Sequence, residues 1–194
     1  RDVTAVLDQL HLWNTTAGHP LAESLNLGAI AMSGHSFGAV TTQALAGQRT
    51  GRRGKPRFAD DRLDAFILMS PSLPRRVAPE VAFGKIGKPV LCMTGTLDDS
   101  PLREAVTPES RLGVYAALPE GDKYQVNFKD ARHSAFTDRE GRETERDPRL
   151  HPAILAITTR FLDATLKDNT EARAWLQSDG VHELLIPEDT WEWK

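Results

Sequence analysis

A pentapeptide with a serine between two glycines is the part of this 194-residue chain best suited to chemistry: Gly34-His35-Ser36-Phe37-Gly38. The pattern G-x-S-x-G is typical of a nucleophile elbow. In such a turn the glycines let the flanking backbone segments approach closely, because neither carries a Cβ. The serine adopts a strained conformation that exposes its hydroxyl for attack on a carbonyl carbon. The competing interpretation is a glycine-rich turn with a solvated serine.

A serine hydroxyl is a weak nucleophile near neutral pH, so it needs a base to accept its proton and a carboxylate to orient that base. Proteins built around an elbow carry the acid next along the chain and the histidine last, each in a loop after a strand. This chain has Asp98 and Asp99 in one loop and His133 in a later one. Asp beside Gly and Pro is also a common turn residue, which leaves the choice of carboxylate open. The joint order nevertheless favours a triad that contains Ser36 and His133.

The segments on both sides of Ser36 match what an elbow requires. Residues 29–32 are a short apolar run that predicts a buried parallel strand. Residues 39–46 are rich in helix formers and predict a helix, with Gly47 at its C-terminal cap. The free N–H groups at the start of this helix point toward the serine. We expect the backbone N–H of Phe37 to form half of an oxyanion hole.

Strands and helices alternate along the rest of the chain. Apolar runs predict strands at 65–69, 89–93 and 124–128, and helical spacing predicts helices at 2–13, 107–118, 152–166 and 170–176. Residues 73–87 have few periodic signals and are expected to be irregular or to form a short helix. The alternation predicts an α/β fold, a parallel sheet flanked by helices, in a single domain over residues 1–194. The third and fourth strands end shortly before Asp98 and His133.

The composition is that of an ordinary globular domain, with 40% hydrophobic and 26% charged residues. A net charge of −3 gives no case for nucleic-acid binding, and the basic stretch at 49–57 indicates a solvated loop. No apolar run approaches the roughly 18 residues that a membrane span needs. The histidines lack metal-ligand spacing, so we predict neither a metal nor a cofactor. Cys92, the single cysteine, lies in an apolar run and is expected in the core.

Three motifs resemble the α/β-hydrolase superfamily, and more closely its dienelactone-hydrolase-like and platelet-activating-factor-acetylhydrolase-like esterases. They are G-H-S-F-G at 34–38, G-T-L-D at 95–98 and A-R-H at 131–133. The resemblance implies an α/β-hydrolase fold and serine-dependent hydrolysis of a small-molecule carboxylic ester through an acyl-enzyme. In these relatives a G-T-x-D-x-S-P loop carries the acid at its fourth position, which implies Asp98 rather than Asp99. True dienelactone hydrolases use a cysteine nucleophile, so Ser36 favours ordinary ester substrates.

The chain departs from this family before the elbow. The family has several strands there, whereas no segment between Arg1 and Gly28 fits such a strand or the loop that supplies the second oxyanion donor. We expect an open apolar edge beside the elbow strand, completed by a preceding segment of a longer polypeptide or by a second chain. A non-catalytic binding module of the same fold remains the alternative. An acyltransferase, a thioesterase or a peptidase would use the same triad.

Overall fold

A computed structural model describes residues 2–50, 55–100, 106–137 and 147–194. These residues form an α/β structure in which one sheet is flanked by helices. The strands are β1 Ala31–His35, β2 Ala65–Met69, β3 Val90–Leu97, β4 Lys123–Arg132 and β5 Thr190–Trp193. The α-helices are α1 Asp2–Thr15, α2 Phe37–Leu45, α3 Pro79–Phe83, α4 Pro108–Ala116, α5 Leu150–Leu166 and α6 Thr170–Leu176. Two short 3₁₀ helices cover His133–Phe136 and Asp179–Leu184.

The sheet has the spatial order β1-β2-β3-β4-β5, with parallel pairing from β1 to β4 and antiparallel pairing between β4 and β5. In β2 and in the first half of β3 both faces are buried, which explains why these segments are continuous apolar runs rather than alternating ones. Parallel pairing places the carboxyl ends of β1 to β4 at one edge of the sheet. This edge carries Ser36, Asp98 and His133.

Helices cover both faces of the sheet, as the alternation of elements predicted. One core lies between the sheet and α5 with α6, where Ile157 and Phe161 are fully buried. The other core lies between the sheet and the helices α1 to α4, and it includes Leu7, Phe83 and Val114. The two cores pack against both faces of the strands, and this scaffold positions the loops at the carboxyl ends of the strands.

Several boundaries differ from the predictions. β1 begins at Ala31 rather than at residue 29, and β3 and β4 continue to Leu97 and Arg132, beyond their apolar runs. The short helix α3 lies within residues 73–87, which were expected to be irregular or to form a short helix. β5 was not predicted, because a strand of four residues shows little periodicity and forms by pairing with the distant β4. Residues 51–54 of the basic stretch and Pro101 of the acid loop lie outside the described residues.

β1 lies at one end of the sheet and, among the described residues, pairs with β2 alone. Its side chains are half-buried or exposed, whereas those of β2 are nearly all buried. The sheet therefore has an uncovered edge beside the elbow strand, where an open edge was expected. In the described part of the chain, no helix combines the length and apolar character that crossing a membrane requires.

Candidate active site

Ser36 lies in the turn between β1 and α2 with φ 57° and ψ −113°. A positive φ is unfavourable for a residue with a Cβ, so the serine has the strained backbone that an elbow predicts. Its N–H donates to the carbonyl of Met69 at 3.0 Å, and its carbonyl accepts the N–H of Val40 at 3.2 Å. These two bonds tie the turn to β2 and to the first turn of α2.

The close approach in the elbow depends on Gly34 and not on Gly38. A Cβ on Gly34 would lie 2.3 Å from both the carbonyl carbon and the oxygen of Gly38, and 2.7 Å from Oγ1 of Thr42. A Cβ on Gly38 would meet no heavy atom of the described residues within 4 Å. The prediction that both glycines serve the approach is therefore wrong for Gly38. The Cβ position of Gly34 points at the backbone of Gly38, whereas the Cβ position of Gly38 points away from the strand.

Asp98 directly follows β3 and is fully buried, whereas the neighbouring Asp99 is exposed. The Oδ1 atom of Asp98 lies 2.7 Å from Nδ1 of His133, and its Oδ2 accepts the hydroxyl of Thr94 at 2.9 Å. Of the two adjacent carboxylates, Asp98 is thus the partner of the histidine. Gly95 allows this end of β3 to lie against β4, since a Cβ there would come within 2.2 Å of the carbonyl oxygen of Ala131.

His133 begins the 3₁₀ helix that follows β4, and its Nε2 lies 2.9 Å from Oγ of Ser36. An ionised carboxylate only accepts hydrogen bonds, so the proton is assigned to Nδ1, which donates to Asp98. The unprotonated Nε2 is then free to accept the serine proton. The structure therefore brings together Ser36, His133 and Asp98, which are up to 97 residues apart along the chain.

Arg111 of α4 is a member of the site that the sequence analysis missed. Its side chain is 2% exposed, and its Nε lies 2.7 Å from the backbone oxygen of Asp98 and 3.2 Å from Oδ1. Burial lowers the pKa of Arg111, and the carboxylates of Asp98 and Asp99 oppose that shift. The sequence did contain a signal that Arg111 is buried. In the predicted helix it lies three and four residues before Val114 and Tyr115, so it shares their buried face.

The loop after β2 is held beside the elbow from two directions. Arg111 Nη1 donates to the carbonyls of Ser70 at 2.8 Å and Pro71 at 2.9 Å. The buried Gln43 of α2 donates to the carbonyl of Ser72 at 2.8 Å and accepts its N–H at 3.1 Å. Ser70 itself has φ 56°, a strained conformation that these contacts maintain. These contacts hold the loop that directly follows Met69, whose carbonyl accepts the N–H of Ser36.

His35 packs its ring against that of His133, with 4.6 Å between the ring centroids. Burial lowers the pKa of His35, and the proximity of His133 lowers it further. A neutral His35 does not add a second charge beside the base. Its Nε2 is buried and has no hydrogen-bond partner among the described residues.

Phe37 is the first residue of α2, where a helix offers its N–H no intrahelical acceptor. The positive end of the helix dipole is here, next to the serine hydroxyl. Phe37 is 68% exposed, so this residue lies at the surface. This residue was predicted as an oxyanion donor, and that role stays a prediction.

The described site consists of a serine hydroxyl, a histidine and a carboxylate with their hydrogen-bond partners. Within the described ranges, no group of histidine, cysteine or carboxylate residues is placed to hold a metal ion. No protein-family model matches this chain, and no curated protein matches it either. The functional argument therefore depends on the geometry of the site, in which hydrogen bonds connect the Asp98 carboxylate to the His133 ring and the His133 ring to the Ser36 hydroxyl.

Proposed function

We propose that this protein is a serine hydrolase of the α/β-hydrolase fold that cleaves small-molecule carboxylic esters through an acyl-enzyme. The observation that carries the proposal is the continuous row from Asp98 Oδ1 through the His133 ring to Ser36 Oγ, at 2.7 and 2.9 Å. The motifs that resemble the dienelactone-hydrolase-like and platelet-activating-factor-acetylhydrolase-like esterases support the same class of reaction.

In the acylation step, Ser36 Oγ forms a bond to the ester carbonyl carbon while its proton passes to His133 Nε2. The carbonyl π electrons move to oxygen, and the N–H of Phe37 donates to the resulting oxyanion. Asp98 stabilises the imidazolium and keeps its ring oriented. When the tetrahedral intermediate collapses, the C–O bond to the alcohol breaks and His133 returns its proton to the leaving alkoxide.

In the deacylation step, water replaces the alcohol. His133 Nε2 accepts one proton from the water as its oxygen bonds to the acyl carbon, and the carboxylic acid leaves when the bond to Ser36 Oγ breaks. The proton returns to the serine, so the enzyme ends in its starting form. The second candidate is a related activity of the same triad. If an alcohol takes the place of water in deacylation, the reaction is acyl transfer. If the substrate is a thioester instead of an ester, the enzyme is a thioesterase.

The free edge of β1 supports a proposal about how the site is completed. We propose that a further strand, from a preceding segment or a second chain, pairs with β1 and brings the second oxyanion donor. The groove beside this edge is lined mostly by apolar side chains of β2, the 3₁₀ helix His133–Phe136 and α5, among them Ile67, Phe136 and Ile154. An added strand would cover these side chains and pair with the edge of β1 that no strand of the described residues occupies.

The test is labelling by a fluorophosphonate together with turnover of p-nitrophenyl butyrate. We expect the protein to be labelled, and Ser36→Ala to lose labelling and at least about 10³-fold in kcat. Ser24→Ala is the matched control, because Ser24 is an exposed serine outside the site. Absence of both labelling and turnover in the folded protein would overturn the proposal in favour of a non-catalytic binding module. Faster turnover of a thioester than of its oxygen ester would favour the thioesterase.

A further inference from the structure

A buried positive charge lies directly against the acid and the base of the triad. The Arg111 guanidinium is on α4, whereas Asp98 and His133 follow β3 and β4, so three elements meet at this point. Arg111 Nη2 is 3.3 Å from His133 Nδ1. Because both of these nitrogens carry hydrogen, the contact is a close approach of two donors and not a hydrogen bond.

One oxygen of the acid contacts both the base and the guanidinium. Asp98 Oδ1 lies 2.7 Å from His133 Nδ1 and 3.2 Å from Arg111 Nε, and the same Nε donates to the backbone oxygen of Asp98 at 2.7 Å. The rigid guanidinium therefore holds both the side chain and the backbone of Asp98. A carboxylate held in this way has one orientation toward the imidazole.

We propose that Arg111 is a positioning residue of the triad, which fixes Asp98 toward His133 and whose charge opposes protonation of His133 in the free enzyme. The inference rests on the proposed function. It assigns Arg111 an effect on the pH range of catalysis in addition to its structural contacts. A residue that merely supported the fold would change stability and leave the pH dependence in place.

The charges around His133 make the sign of this effect clear. Asp98 faces it from the end of β3, Arg111 from α4, His35 from β1 and Ser36 from the elbow. Asp98 favours the imidazolium, whereas the guanidinium, which stays protonated near neutral pH, disfavours it. Removing the charge of Arg111 leaves Asp98 unopposed, so the imidazole then holds its proton to higher pH.

The experiment compares the pH profile of kcat/KM for ester hydrolysis in the wild type, Arg111→Met and Arg111→Lys. In Arg111→Met we expect the acid limb to move up by about one pH unit, because a like charge within hydrogen-bonding range is lost. The plateau of kcat/KM should also fall about tenfold or more, because Asp98 is less well held. Arg111→Lys keeps the positive charge but loses the planar set of N–H donors that holds Asp98. The plateau of kcat/KM should therefore fall, while the acid limb should stay near its wild-type position.

Arg149→Met is the matched structural control. Arg149 pairs with Asp147 and with the buried Asp189, both at 2.6 Å, and has no contact with the triad. We expect this variant to lower the melting temperature without moving the acid limb. An acid limb of Arg111→Met that coincides with the wild type would overturn the proposal. So would an upward shift of a full unit in Arg111→Lys, which also serves as the test if the methionine variant does not fold.

A titration that needs no turnover separates this inference from the proposed function. The imidazole signals of His133 are followed by NMR against pH in the wild type and in the Arg111 variants. We expect the midpoint in Arg111→Met to lie about one pH unit above that of the wild type. If the wild type hydrolyses no ester and binds no fluorophosphonate, the proposed function fails. The titration then still decides whether Arg111 acts on His133.

Discussion

Asp98 and Asp99 are identical in type and adjacent in sequence, yet their surroundings are opposite. Asp98 is fully buried and accepts hydrogen bonds from Thr94 and His133, whereas Asp99 is exposed. Periodicity after β3 does not separate the two carboxylates; the match to the G-T-x-D-x-S-P motif had favoured Asp98. The structure separates them because the chain turns at the end of β3 so that one side chain points inward.

At the residue scale we predict that Asp98→Asn lowers kcat for ester hydrolysis by about 10³- to 10⁴-fold. An amide at this position supplies a donor to His133 and favours the wrong tautomer of the imidazole. Asp99→Asn is the matched control and should change kcat by less than about threefold, as expected for an exposed side chain. Steady-state kinetics with p-nitrophenyl butyrate measures both. Equal losses, or a larger loss in Asp99→Asn, would contradict the assignment of the acid.

At the scale of elements, the junction of β1 with α2 is set by one glycine. A Cβ on Gly34 would overlap the backbone of Gly38 and the Thr42 side chain, so the strand and the helix meet closely only because Gly34 has no side chain. The amino-acid pattern shows two glycines in symmetrical positions and does not distinguish them. Their difference arises from the direction of each Cα–Cβ bond, which depends on how the strand enters the turn.

We predict that Gly34→Ala destabilises the protein by about 2–4 kcal/mol, because the added methyl overlaps backbone atoms that have no room to move. Gly38→Ala should change the free energy of unfolding by less than about 1 kcal/mol and in the stabilising direction, since alanine is the better helix former. Urea unfolding followed by circular dichroism measures both variants. A Gly34→Ala variant as stable as the wild type would refute the packing at this junction.

At the scale of the whole molecule, Cys92 reports on the integrity of the sheet. It lies in β3, in the core between the sheet and the helices α1 to α4, and has no exposed surface. Burial raises the pKa of the Cys92 thiol to about 12, so the reactive thiolate is rare in the native state near neutral pH. Its chemical reactivity therefore depends on opening of the central strands.

We predict that Cys92 resists a thiol reagent in native buffer at pH 8 and reacts only as the protein unfolds. Because the chain has a single cysteine, all thiol labelling reports on Cys92. In a urea series, the midpoint of pulsed labelling should coincide with the midpoint of the circular dichroism transition. Rapid labelling without urea would show that β3 opens locally and would contradict the buried position of this strand.

The sequence by itself determined what depends on near neighbours along the chain. Apolar runs and helical spacing predicted four parallel strands and the helices on both faces. The turn residues predicted a strained serine after the first strand. The order of a serine, a carboxylate and a histidine after the first, third and fourth strands followed from the same local signals, because parallel strands bring their carboxyl ends to one edge. The choice of Asp98 over Asp99 came from the motif resemblance.

The tertiary structure alone decided what depends on contacts between distant segments. It brought Arg111 of α4 to Asp98 and paired β5 with β4. It also decided that the close packing of the elbow requires a glycine at position 34 and not at position 38. The physical reason is that burial and hydrogen bonding are properties of the assembled surroundings. Local propensity acts over a few residues, whereas a buried guanidinium is stable only where carbonyls and a carboxylate from other elements converge on it.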